Sequence, residues 1–265
     1  MPPLALVGNL SFDRIDGGPP RPGCGPVHCG RAFRALHARA TTIARCSPDD
    51  LRLFRRRFAR LGLPVQLVEG RETTSFSFMY DGDRRLMHVD QVGDAWAPHH
   101  LTDVPRGAWV HLAPLLRGDF PVETLASVAR GRRLSLDAQG LTRVRAVGPL
   151  RLESDPDVAR LLEHVSILKL AVEEAEALAG SLEHDALAAL GPREVVVTFG
   201  SRGSLVVADG HATEIRARYV DTDPTGSGDA YAAAYLASRA FGHAPPAAAR
   251  RATALVDALL RGRVR

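Results

Sequence analysis

The 265-residue sequence predicts an α/β fold, with a central, mostly parallel sheet flanked by helices and a small β lid. Three observations carry that prediction. Short apolar runs alternate with a helical pattern between Thr41 and Val68, the rhythm of parallel βαβ units. At Thr73 the rhythm changes to a two-residue period, Thr74-Ser75-Phe76-Ser77-Phe78, which reaches Asp81-Gly82 and returns through Leu86, His88 and Val89. Finally, Val220 to Gly242 opens on turn-forming Asp, Thr and Pro, passes Gly226 and Gly228, and becomes Ala-rich until Gly242 stops it. The length suits one domain over residues 1–265, with a hairpin at about 73–91 as its appendage.

Leu4 to Val7 reads as a buried strand closed by Gly8 and Asn9. Gly17 to Pro26 is too rich in Gly and Pro for helix or central strand. Thr41 to Arg45 is the second strand. Ser47-Pro48-Asp49-Asp50 then starts a helix by its cap, its proline and its first-turn acids. Leu51, Phe54, Phe58 and Leu61 follow at helical spacing as a core stripe, and Gly62 and Pro64 end it. Val65 to Val68 is the next strand. After the hairpin, His99 and His100 sit in a loop without a metal partner at useful spacing. Ala108 to Leu112 reads as strand, Val122 to Arg130 as helix, and Arg133 to Leu136 as a strand ending in Asp137, Gln139 and Gly140. Val165 to Leu168 is a strand before Lys169 and an acidic helix, in which two of Glu173, Glu174 and Glu176 form a solvated face. Glu194 to Phe199 pairs with Ser204 to Ala208 across Gly200-Ser201-Arg202-Gly203, and Ala247 to Leu260 is the last helix.

The bulk numbers exclude several classes. The chain is 45% hydrophobic and 24% charged, with a net charge of +4 and a pI near 9.3. Its basic residues are spread, and a helix would scatter Arg55-Arg56-Arg57 around its circumference, so no nucleic-acid partner is expected. Cys24, Cys29 and Cys46 form no C-x-x-C pair, which points to a reducing compartment without structural zinc. With no membrane-length apolar run and no basic leader, a soluble cytoplasmic protein is expected. Of the 34 basic residues only Lys169 is lysine. A compact ammonium where a guanidinium fork would not fit is one explanation, and chance retention in an arginine-biased chain is the other.

The stretch around Gly226 carries the chemistry. A glycine loop feeding a helix start leaves backbone N–H groups unpaired beside the positive end of the helix dipole, a site suited to phosphate. Asp229 falls in the first turn. A carboxylate there cannot bind phosphate, but it can take a proton from a hydroxyl that attacks it; complementing the dipole is the plainer alternative.

DPTGSGDAY resembles the D-T-x-G-A-G-D signature of the ribokinase-like (PfkB) carbohydrate kinases, with Ser227 in place of Ala. The resemblance implies an anion hole at Thr225, Gly226, Ser227 and Gly228, and Asp229 as catalytic base. VGNLSFD and GCGPVHCGRAF resemble the family's first strand and its Gly-Gly segment, which makes Asp13, Gly23 and Gly25 substrate-binding residues. Cys24 interrupts that glycine pair, and His28 stands where small residues or Asn are common. Taken alone, Asp13 also reads as a turn residue. LDAQGLTR is similar to a run in PfkB-family inositol kinases, so Asp137 and Gln139 face substrate hydroxyls, although a helix cap also explains Asp137. TFGSRGSLV resembles the turn over the nucleotide, giving Thr198, Gly200 and Gly203 as ATP contacts beside Lys169 and Thr225. Glu174 matches the Glu of the family's N-x-x-E region, which organises Mg²⁺ through water, while Ala171 replaces the Asn. In that family such a hairpin forms a lid over the sugar and in some members a homodimer contact; an ordinary edge hairpin is the plainer alternative.

The implied reaction is ATP- and Mg²⁺-dependent phosphorylation of a hydroxyl on a small sugar or polyol. A nucleoside acceptor remains open. So does a catalytically weakened, ligand-sensing relative, motivated by Ala171 and the altered glycine segment. A nicotinamide-dependent oxidoreductase is disfavoured because the first turn lacks G-x-G-x-x-G.

Overall fold

Residues 2–23, 25–81 and 84–264 are described by a computed structural model. The first apolar run forms β1 (Leu4–Asn9), buried at all positions and therefore central. β2 (Ser11–Ile15) and β3 (Arg21–Gly23) leave for a second sheet, and α1 (Gly25–Ala35) returns the chain to β4 (Ala40–Cys46). A single tight turn at Pro48–Asp50 leads into α2 (Leu51–Arg60), then β5 (Gln66–Glu69), β6 (Thr74–Asp81) and β7 (Arg84–Gln91). β8 (Trp109–Ala113), α3 (Val122–Ala129), β9 (Arg133–Asp137), α4 (Gln139–Thr142), β10 (Gly148–Pro149) and α5 (Val158–Leu162) make up the middle of the chain. β11 (Ile167–Ala171), α6 (Val172–Ala179), α7 (His184–Ala188), β12 (Glu194–Thr198), β13 (Gly203–Ala208), β14 (His211–Arg216), α8 (Ser227–Ala240) and α9 (Pro245–Leu260) complete it.

The large sheet has nine strands in the order β14-β13-β12-β11-β9-β8-β1-β4-β5. Its pairs are parallel from β5 to β12, and β13 and β14 add an antiparallel edge. Alternation along each strand divides the core. Val7, Leu112, Leu136 and Leu170 face α3, α5, α6 and α7, whereas Leu6, Ile167 and Val196 face α1, α8 and α9. Asp137 and Lys169 share the α8 side with Ile167 and Ser135, so strand parity alone aims both toward the start of α8.

Four expectations change. The hairpin is no isolated appendage: β6 pairs in parallel with β2, and the second sheet runs β10-β7-β6-β2-β3. A two-stranded ribbon would leave both edges unpaired and be only marginally stable. Phe76 and Phe78 are already buried against Leu115 and Leu116, so they form the root of the lid rather than an open face. The Gly/Pro-rich stretch holds the edge strand β3, and α1 begins inside it at Gly25, because Pro26 in a first helical turn forfeits no hydrogen bond. The strand expected at Val165–Leu168 lies two residues later, where pairing with β9 and β12 recruits Ile167–Ala171 and places Lys169 inside it. Gly82 of the expected turn and Cys24 lie outside the described residues. Cys29 and Cys46 are buried. Among the described residues no helix is long and apolar enough to cross a membrane.

Candidate active site

α8 begins on Gly226, whose φ of 78° is left-handed and whose missing side chain leaves room for the His28 ring; any Cβ there would run into that ring. The preceding loop is tied by Asp223, whose Oδ1 accepts from the Thr225 amide at 3.0 Å and from its hydroxyl at 2.6 Å. Ser227 donates its N–H to Pro224. Gly228 and Asp229, as the second and third residues of the helix, have no acceptor one turn back, and no side chain caps this end. Their amides and the dipole of a 14-residue helix therefore face the same space.

Asp229 lies against the start of α1, where a Cβ on Gly25 would stand 3.0 Å from its Oδ1. α1 and α8 pack through Cys29, whose thiol donates to the Asp229 carbonyl at 3.3 Å. Lys169 comes from the carboxyl-terminal half of β11. Its Nζ would lie 3.2 Å from a Cβ on Gly228, and it is also 3.2 Å from Asp137 Oδ2, an ion-pair distance without hydrogen-bond alignment. Glu174, only 4% exposed, accepts the Ala171 N–H through Oε2 at 2.8 Å and so caps α6 from inside. Glu173 and Glu176 form the solvated face of that helix.

These groups set one another's charge. Burial, and after it the Asp137 charge, pushes the Asp229 carboxyl up to about 6. Burial works against the Lys169 ammonium, but Asp137, then Glu174 and Asp229, outweigh it and hold its pKa above the ordinary lysine value. Asp137 is equally buried, yet Lys169, His111 and Arg143 keep its carboxyl below the usual range. Glu174 is raised by burial, which Lys169 offsets only in part. His28 is pushed down to about 4 by burial, Arg31 and Arg57, so its ring is neutral at physiological pH.

On β2, Ser11 Oγ donates to Asp13 Oδ1 at 3.3 Å, and the Asp13 carboxylate packs against the open side of Gly23. Gly23 touches Asp13 and Gly25 touches Asp229, so two residues of chain, roughly 7 Å when extended, separate the neighbours of these two carboxylates. Gln139 opens α4 and donates its N–H to Asp137 Oδ1 at 3.3 Å, while the cap position itself falls on Ala138. Beyond the loop lies a cleft of about 380 Å³ lined by Thr198, Gly200, Gly203, Ser227, Gly228 and Tyr231. Tyr219, Val220, Val256 and Leu260 supply its apolar walls. Thr198 spends its hydroxyl on Leu170 O at 3.1 Å, and Gly203 has φ 114° because a Cβ would strike the Ile215 carbonyl. Both shape the cleft through the fold itself.

The predicted residues thus gather in two places: Asp229, Gly226, Ser227, Gly228, Lys169, Asp137 and Glu174 around the α8 start, with Asp13, Gly23 and Gly25 adjoining; and Thr198, Gly200 and Gly203 in the neighbouring cleft. Thr225 links them through the loop. Sequence reasoning missed Arg143, whose charge acts on Asp137, Glu174 and Asp229. It missed His111 as well, buried beneath Asp137 with Nδ1 3.2 Å from Ser135 Oγ. Arg143 closes the LDAQGLTR run without being singled out there, and nothing in the local pattern distinguishes His111; Val256 and Leu260, spaced by four, belong to the last helix that the sequence predicts.

The pfkB family of carbohydrate kinases matches residues 35–259. The chain belongs to that family. It is a phosphotransferase acting on a sugar or polyol hydroxyl, with the ribokinase-like fold. A pyrophosphate-dependent kinase of the ribokinase family, solved with a pyrophosphate analogue and myo-inositol, is 25% identical with a TM-score of 0.87; the match covers 97% of this chain and 95% of that one. A pyrophosphate-dependent myo-inositol-1 kinase converted into a myo-inositol-3 kinase is 24% identical, TM-score 0.85, covering 97% and 93%. Arabidopsis thaliana ribokinase with ribose and ATP is 19% identical, TM-score 0.74, covering 98% and 93%.

Proposed function

We propose that this PfkB-family chain works as one catalytic unit that phosphorylates a polyol of the inositol type, with Asp229 as general base. The observation that carries this reading is the position of Asp229: its carboxylate stands beside unpaired helix N–H groups and Lys169 on one side and the Gly25 backbone on the other. The acceptor hydroxyl gives its proton to Asp229 as its oxygen attacks the terminal phosphorus of the donor, and the bond from that phosphorus to the bridging oxygen breaks, releasing ADP from ATP or phosphate from pyrophosphate. Lys169 and the Gly228 and Asp229 amides receive the charge that spreads over the transferring phosphoryl oxygens. Asp13, and Asp137 through the Oδ2 that faces Lys169, hold other hydroxyls of the acceptor.

For the donor we favour ATP, because the apolar walls of the 380 Å³ cleft lie directly beyond Gly228, where a base and ribose would follow the phosphates. Pyrophosphate is the second reading, favoured by the similar kinase solved with a pyrophosphate analogue. Among the described residues no three His, Cys, Asp or Glu side chains converge into a metal cage. Three carboxylates nevertheless stand beside Lys169, and that excess of negative charge suits a Mg²⁺ that keeps its water and travels with the phosphates. Glu174 and Asp137 would hold it through water, and it would supply charge neutralisation between the donor phosphates.

The test is a matrix of donors (ATP–Mg²⁺, pyrophosphate–Mg²⁺) and acceptors (myo-inositol, ribose, fructose, a nucleoside), read as phosphate ester formed. ATP with myo-inositol is the expected pair. Turnover with pyrophosphate alone would reverse the donor assignment, and ligand binding without turnover on any pair would favour the sensor reading.

A further inference from the structure

We propose that the groove between α2 and the edge strand β3 is a second ligand site, for a small molecule carrying two or more phosphate groups. It shares no lining residue with the donor cleft and does not depend on the assignment of acceptor or donor.

The argument begins with the α2 sequence, LRLFRRRFAR, which reads as arginines scattered around a helix. At 100° per residue, Arg52, Arg56, Arg60, Leu53 and Arg57 fall within one arc of about 140°, while Phe54 and Phe58 occupy the opposite side and Arg55 lies outside the arc. The structure bears this out: the first five line a single groove with Pro22 and Asp49, Arg55 does not, and the two phenylalanines are buried. The groove holds about 550 Å³, within the range of small-molecule sites.

Its charge is unbalanced. Four guanidiniums face one carboxylate, Asp49, and among the described residues none of the four makes an ion pair or hydrogen bond. Arg52 and Arg56, and again Arg56 and Arg60, are like charges one turn apart, which repel. A polyanion removes that repulsion, and the planar fork of arginine binds two phosphate oxygens at once. Pro22, Leu53 at 43% exposure and the arginine stems give the groove an apolar floor. The ligand that fits therefore has an apolar or planar body next to its phosphates. A nucleic-acid strand or a bilayer would instead call for a flat, extended basic face. At the inner end, Arg57 is close enough for its charge to act on His28, the ring that sits over Gly226, so an occupant here is placed to influence the catalytic loop.

The probe is inorganic tripolyphosphate, titrated calorimetrically into the whole protein and into the Arg52→Gln/Arg56→Gln/Arg60→Gln variant. The variant is expected to bind one equivalent fewer, or that equivalent at least tenfold more weakly, while turnover without tripolyphosphate stays within twofold. Identical titrations would overturn the proposal. If the triple variant does not fold, hydrogen exchange on the unmodified protein decides: slowed exchange over residues 49–60 with tripolyphosphate supports the site, and unchanged exchange there overturns it. A variant that loses binding to single-stranded RNA or to phosphatidylserine vesicles, yet titrates tripolyphosphate normally, also overturns it in favour of a macromolecular partner.

Discussion

A base that works at neutral pH needs to be ionised there and still hold a proton usefully, and a carboxyl raised to about 6 meets both demands of the role proposed for Asp229. Two consequences follow at this scale. The rate constant kcat/KM is expected to fall about tenfold per pH unit below about 6, because the protonated acid cannot accept the hydroxyl proton. Asp229→Asn should lower kcat by ~10²–10⁴-fold with donor affinity little changed. The stability effect has the opposite sign. The folded protein holds this proton more tightly than the unfolded chain, so ionising Asp229 costs stability progressively as pH rises from 3.8 to about 6. Asn carries no such cost; its advantage in Tm over the unmodified protein should grow between pH 4 and 7, and a constant difference would contradict the burial argument. Lys169 behaves differently. Removing it as Lys169→Met strands Asp137 as a buried, unpaired charge, and a loss of about 3–5 kcal/mol in denaturant unfolding is expected. Lys169→Arg should fold better than Met but still lose turnover, because the fork cannot occupy the space of an ammonium over Gly228.

At the scale of the element, α8 is held at both ends by devices of different kinds. Its start depends on a left-handed Gly226 under the His28 ring. Gly226→Ala meets both the backbone strain and that ring, so it should cost more than the ~1 kcal/mol of a left-handed substitution alone. Adding His28→Ala should recover part of the stability and less of the turnover, since the ring clash goes but the strain remains; full recovery of both would show that φ is unimportant here. Toward its other end, Glu194 on β12 accepts from Tyr235 at 2.6 Å and pairs with Arg239 at 2.7 Å, a buried pin between sheet and helix. Arg239→Met should therefore lower Tm and leave KM for both substrates near normal, because the pin faces away from the cleft. A KM change of tenfold would show that α8 shifts along its length.

For the whole molecule, the decisive feature is that two sheets meet at the carboxyl ends of β1 and β8: β2 follows β1 directly, and Phe76 and Phe78 pack on Leu115 and Leu116 just beyond β8. Asp13, proposed to hold the acceptor, lies on β2 of the small sheet, and Asp229, proposed as the base, lies on α8, which packs on the large one. Acceptor and donor together should consequently tie the sheets more strongly than either alone. At about 100-fold excess over Kd, each ligand contributes ~2.7 kcal/mol if binding is independent. The expected result is a thermal shift with myo-inositol and a non-transferable ATP analogue together that exceeds the sum of the separate shifts. A simply additive shift would mean that the small sheet does not close on the pair.

Much of this was legible along the chain because its signals are local. Gly226, Gly228 and Asp229 sit within four residues, and a loop, a helix start and a carboxylate need no distant partner to be recognised. The buried strands of the large sheet and the Phe54–Phe58 stripe were legible for the same reason: period and burial are properties of neighbouring residues. Tertiary structure decided the rest. Pairing with β6 made β2 and β3 part of the lid sheet, and the ladder with β9 and β12 moved a strand over Lys169, since hydrogen-bond register depends on neighbours far away in sequence. Only the fold brought Lys169, Asp137, Glu174 and Asp229 together, and only that proximity and burial turned four ordinary ionisable side chains into a carboxyl near 6 beside a retained ammonium.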